Sequence, residues 1–136
     1  MKKITQAILL AVALAASALP VMAEVVIVVN PKNAAPSMTS EQASQFFLGK
    51  SSSMTPIDQS EGSAIRSEFY KKLADKEASQ VKAIWSKLVF TGKGTLPKEY
   101  GSSAEVKKAI ASDQNAIGYI EKSAVDASVK VVATLP

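Results

Sequence analysis

The chain predicts an α/β domain with a small mixed, mostly parallel sheet flanked by helices, and three observations carry that prediction. V-V-I-V-V at Val25–Val29 is an unbroken β-branched run, the mark of a strand buried on both faces of a mostly parallel sheet. After it the apolar period changes from strand-like to helical, with S/T-x-x-E/Q signals at Thr39/Gln42 and Ser102/Glu105 that open helices as capping boxes. Short apolar runs then return at residues 116–120 and 128–132 as closing strands. No internal repeat or low-complexity linker divides the chain.

Taken in order, Asn30 and Pro31 end the first strand, and Thr39 caps a helix whose apolar face is Ala43, Phe46 and Phe47 and whose stop is Gly49. Ser51, Ser52 and Ser53 make a loop, and a short strand near residues 56–58 follows. A helix beginning at Gly62 or Ser63 keeps Ile65, Phe69, Tyr70 and Leu73 on one face and breaks near residues 74–76. A second, from about 76 to 88, presents Val81, Ile84, Trp85 and Leu88 at helical spacing. Residues 90–97, F-T-G-K-G-T-L-P, are rich in breakers and read as an exposed loop. The helix opened by Ser102 runs to about Ser112, and a turn of helix lies around residues 122–125.

Residues 58–70, D-Q-S-E-G-S-A-I-R-S-E-F-Y, join a glycine-bearing polar turn directly to an amphipathic helix. The first N–H groups of a helix lack intrahelical partners, and the macrodipole adds about half a positive charge there, so a tetrahedral oxyanion can settle on them. The candidate donors are the amides of Glu61, Gly62, Ser63 and Ala64 with the hydroxyls of Ser60 and Ser63, and Gly62 leaves the backbone open to approach. The plainer alternative makes Ser60 an ordinary N-cap and Ser63 an incidental first-turn residue.

Four blocks carry a family resemblance: V-V-I-V-V-N at 25–30, M-T-S-E-Q-A-S-Q-F-F-L-G-K at 38–50, the turn at 58–70, and A-I-G-Y-I at 116–120. With them the chain resembles one lobe of the periplasmic phosphate-binding proteins of ABC transporters, of the type 2 periplasmic-binding-protein superfamily, and more closely a small stand-alone subgroup. The resemblance implies a single periplasmic-binding-protein-like lobe and phosphate or a related oxyanion as ligand. The family turn is R-x-D-G-S-G-T-like; aligned on Phe69, Glu61 stands at its acidic position, where it would accept the proton of hydrogen phosphate, and Gly62 and Ser63 match directly. Gln59 replaces the arginine, Ala64 the second glycine and Ile65 the threonine. Arg66 either restores the missing charge or pairs at the surface with Asp58 or Glu68. The I-G-Y strand packs near the family's cleft, which makes Tyr119 a structural residue lining the lobe.

Lys2 and Lys3, the apolar run 7–19, Pro20 and the V-M-A at 21–23 read as a cleaved secretion signal over residues 1–23. The apolar stretch is too short for a membrane anchor and lacks a charged stop-transfer flank. Cleavage leaves residues 24–136 as one domain in a bacterial periplasm, with no membrane anchor and no cysteine for a lipid or a disulfide. Because Lys2 and Lys3 depart, the basic surplus falls from four to two. It is spread without a basic block or an aromatic stacking set, which argues against nucleic acid.

The absence of histidine and cysteine removes the commonest general base, the thiol nucleophile and the usual transition-metal ligands. The acidic residues follow no calcium-loop pattern, so no metal, cofactor or catalytic residue is expected. S-x-x-K at Ser79 and Lys82 lacks the rest of the acyl-enzyme signature, and G-K-G-T at 92–95 lacks the upstream glycine of a P-loop. Trp85, Phe46 and Phe47 read as core. Two functions remain: a solute-binding module delivering phosphate or a similar oxyanion to a transporter permease or porin, with homodimerisation able to rebuild a cleft, or an accessory interaction protein that kept the lobe and lost the ligand.

Overall fold

The computed structural model describes residues 24–136, so the secretion signal expected over 1–23 lies outside the described residues. Five strands form one mixed sheet: β1 (Val25–Val29), β2 (Thr55–Gln59), β3 (Lys98–Tyr100), β4 (Ala116–Glu121) and β5 (Lys130–Leu135), in spatial order β3-β2-β4-β1-β5. β2 pairs in parallel with both β3 and β4, whereas β1 lies antiparallel between β4 and β5. Four strands therefore share one direction and β1 opposes them. Every residue of β1 is buried, as its unbroken apolar run requires, because it sits between two strands and beneath side chains on both faces.

Strand alternation splits the core in two. Val25, Ile27 and Val29 face one cluster with Phe47, Phe69, Tyr70, Trp85 and Tyr119, while Val26 and Val28 face a second with Ile57, Val106 and Ile110. Helices α1 (Ser40–Phe47), α2 (Ala64–Ala74) and α3 (Ala78–Phe90) supply the first cluster, and α4 (Ser103–Ser112) covers the other face. α1 begins as expected: the Thr39 hydroxyl accepts from the Gln42 amide and the Gln42 side chain accepts from the Thr39 amide. At Ser102 only half of the capping box forms, because the Glu105 carboxylate bends past Ser102 to accept from the Gly101 amide at 2.7 Å. The buried Asn30 side chain donates to the carbonyls of Ile110 and Ala111, satisfying the end of α4. β3 follows directly on residues 90–97, the segment expected to be loop, and a 3₁₀ turn occupies Lys122–Ala124.

Aromatic rings fill the first cluster. Phe69 stacks on Tyr119 with centroids 3.7 Å apart, and Phe47 meets Phe69 edge-on at 4.8 Å. The Trp85 indole N–H donates to the Phe47 carbonyl at 2.8 Å, so Trp85 and Phe47 are core as expected. On the other face Gly118 is pressed by β2 and α4: a Cβ there would stand 3.0 Å from Ile57 Cγ1 and 3.1 Å from Val106 Cγ1. Gly118→Val is expected to lower stability by about 1–3 kcal/mol through overpacking, seen as a lower urea midpoint at unchanged m-value.

Candidate functional site

β2, β3 and β4 all end on the same side of the sheet, because Gln59 pairs with Tyr100 and β4 runs parallel beside them. Ligands of open α/β sheets bind beyond the carboxyl ends of strands, and here that edge opens into a cleft of about 550 Å³. Two helices start at it. Ser63 is the N-cap of α2 and Ser102 that of α4, and Ser63, Ala64, Ile65, Ser102, Ser103 and Ala104 line the cleft with Gln59 and Glu121.

The turn that delivers α2 is held by β3. Ser60 gives both its amide, at 2.8 Å, and its hydroxyl, at 3.2 Å, to the Tyr100 carbonyl, and the Ser63 amide closes back on the Ser60 carbonyl at 3.0 Å. Gly62 takes φ +89°, a conformation that disfavours any side chain. Ser63 has the extended backbone of an N-cap, yet its hydroxyl makes no capping bond and is buried with no hydrogen-bond partner among the described residues. A donor left open beside the unpaired N–H groups of a first helical turn suits an anionic acceptor.

Across the cleft a polar relay is fully made. The Gln59 side-chain amide donates to the Ser103 hydroxyl at 3.1 Å and to the Tyr119 carbonyl at 3.0 Å, and the Ser103 hydroxyl donates to Glu121 at 3.1 Å. Glu121 is thus the carboxylate of the cleft.

The six expected site residues do not converge. Ser63 and Ala64 line the cleft; the Ser60 hydroxyl is taken by Tyr100, and the Glu61 amide points to the Glu99 carboxylate at 3.3 Å. The Glu61 side chain is exposed and bonds Lys82 at 2.9 and 3.1 Å, and the bonded, charged ammonium holds its pKa below the ordinary value. Arg66 is neither a surface residue nor a cleft residue. Its guanidinium is buried, donates to the Gln59 carbonyl at 3.1 Å, pairs with Glu99 at 3.1 Å and lies 3.8 Å from Asp58. Burial opposes its charge, but the Asp58 and Glu99 carboxylates prevail and its pKa is raised. Glu61 and Arg66 line a separate, smaller cavity of about 180 Å³ on the α3 side.

Beneath the turn lies the cluster that fixes it. Asp58, 3% exposed, accepts from the hydroxyl of Tyr119 and, at 2.6 Å, from that of Tyr70, and its Oδ1 also receives the Gln59 amide at 2.9 Å. Burial and then the neighbouring Asp58 charge push both tyrosine hydroxyls well above their ordinary pKa. Tyr119 is a structural residue behind the cleft, as expected. The residues that sequence reasoning missed, Gln59, Ser103 and Glu121, come from three separate segments; the Ser102 helix start was the one available signal for the Ser103 wall.

Among the described residues no group of histidine, cysteine or carboxylate side chains could hold a metal ion, and no helix is long and apolar enough to cross a membrane. No protein-family profile matches the chain, and no curated protein does. Solved structures do. An ABC-type phosphate transport receptor from Vibrio cholerae superposes with a TM-score of 0.64 at 21% identity, over 81% of this chain and 47% of its own. A Clostridium perfringens protein described as a phosphate ABC transporter substrate-binding protein, with phosphate bound, gives 0.64 and 21% over 81% and 45%. PstS from Borrelia burgdorferi gives 0.56 and 14% over 84% and 49%. The chain spans about half the length of these proteins, and the likeness at such identities is one of fold. It is built as an α/β lobe like those of the phosphate substrate-binding proteins of ABC transporters.

Proposed function

We propose that this chain is a non-catalytic periplasmic binding lobe for phosphate or a related oxyanion, exported by residues 1–23 and acting with ABC-type phosphate uptake. The observation that carries the reading is the buried, unpartnered Ser63 hydroxyl at the start of α2, in a cleft where three strands end and two helices begin. The anion would take the Ser63 hydroxyl and the first amides of α2 from Ala64 onward. Glu121, rather than Glu61, would accept the proton of hydrogen phosphate, a proton that sulfate lacks.

A second reading has its own support. Among the described residues no lysine or arginine lines the cleft, and Glu121 does, which favours an accessory interaction protein that kept the lobe without the ligand. Isothermal titration of the exported protein with phosphate and with sulfate separates the two. Under the binding reading phosphate binds, Ser63→Ala weakens it about tenfold or more, and Glu121→Gln shifts preference toward sulfate. If the folded protein binds neither anion, the binding reading is abandoned and the accessory reading stands.

A further inference from the structure

From Ala78 to Lys98 the chain carries four lysines and no acidic residue. Lys82 is used by Glu61, but among the described residues no carboxylate pairs with Lys87, Lys93 or Lys98, all of which are exposed. The same segment holds the largest exposed apolar side chains: Phe90 is 91% exposed, Leu96 58% and Val89 41%. Leu96 lines a cavity wall with Trp85 and Ser86, and Phe90, the last residue of α3, stands four residues after Ser86 on the same helical face.

The support under them is firm. The Thr91 amide bonds the Lys87 carbonyl at 3.0 Å, the Gly92 amide that of Val89 at 3.0 Å and the Lys93 amide that of Leu88 at 2.8 Å, while Gly94 packs on Leu88 and Trp85. A well-anchored knob, apolar at the tip and collared by lysines that no carboxylate pairs among the described residues, is presented outward, with the Lys98 ammonium 5.7 Å from the Tyr100 ring centroid. We propose that this knob docks the protein on an anionic phospholipid bilayer, with Phe90, Leu96 and Val89 entering the interface and Lys87, Lys93 and Lys98 meeting the headgroup phosphates.

The occupant follows from shape and charge. A side chain nine-tenths exposed is a protrusion, and a lipid interface admits a protrusion without a preformed socket. A second copy of the same face would set lysine against lysine. Residues 1–23 contain Lys2 and Lys3 and no acidic residue, so they offer no complementary charge. This docking does not depend on the anion cleft.

The test is co-sedimentation of the exported protein with phosphatidylglycerol-rich vesicles and with neutral phosphatidylcholine vesicles. Binding is expected to the first alone and to fall in about 0.5 M salt. Each of Lys87→Gln and Lys93→Gln should lower partitioning about fivefold, the factor that ~1 kcal/mol per cation represents. Phe90→Ser with Leu96→Ser should abolish it while the circular dichroism spectrum is unchanged. In Phe90→Trp, vesicles should blue-shift the added indole emission against the already buried Trp85. No binding to anionic vesicles, binding unaffected by the serine pair, or an acidic protein partner that alone responds to these variants would overturn the proposal.

Discussion

Asp58→Ala is expected to be the most damaging single substitution, lowering stability by about 3–5 kcal/mol. The carboxylate is buried among the Tyr70 and Tyr119 hydroxyls and the Gln59 amide, all of which donate to it, with the Arg66 Nε 3.8 Å away as an ion-pair neighbour. Alanine removes the acceptor of both tyrosine hydroxyls at a position only 3% exposed, and buried donors without acceptors cost more than the bonds themselves contribute. In a thermal melt the midpoint should fall by more than about 10 °C for a domain of this size. Asp58→Asn, which keeps the shape and one acceptor oxygen, should cost less. A loss below about 1 kcal/mol for the alanine variant would mean that the cluster is solvated and that burial has been overrated.

The second large effect is alkaline instability. Tyr70 and Tyr119 have folded pKa values raised above the value of about 10 that tyrosine has in an unfolded chain. Above that pH the unfolded chain releases these protons while the folded chain retains them, so the unfolded state binds fewer protons and stability falls as pH rises. The contribution is complete below about pH 10, and each tyrosine then removes up to about 1.4 kcal/mol per pH unit. Urea midpoints measured from about pH 9 to 11 should fall more steeply for the wild type than for Tyr70→Phe. Parallel slopes would show that the Tyr70 hydroxyl ionises as easily folded as unfolded.

The local signals for helices were strong because capping is a short-range code. Thr39 with Gln42 gave both the start and the bonding of α1, and Asp75, in a left-handed conformation at φ 55°, sits where the α2 pattern broke. β3 was invisible: Lys98, Glu99 and Tyr100 have no strand pattern of their own and are ordered by pairing with β2. The direction of β1 was equally hidden, since an apolar run encodes burial and its orientation is decided by partners 88 to 110 residues away.

At the site, the turn and Ser63 were legible as a helix start, but the fate of Arg66 was not. A guanidinium in the first turn of a helix can swing to either side, and three-dimensional proximity to Asp58 and Glu99 chose the buried one. Gln59 likewise reads as a lost arginine in the linear pattern. In space it ties β2 to Ser103 and to β4, a role that appears only when those segments meet.

The placement of β1 has a consequence for how the chain comes into being. Val25 pairs with Glu121 on one side and with Leu135 on the other, so β1 is completed only by strands that lie far along the chain from it. Until β4 and β5 reach it, β1 has no neighbour on either flank, and the long loop must be closed before its pairing is rewarded. No local segment can therefore hold β1 in place, and its five buried residues join the core only when distant parts of the chain arrive together.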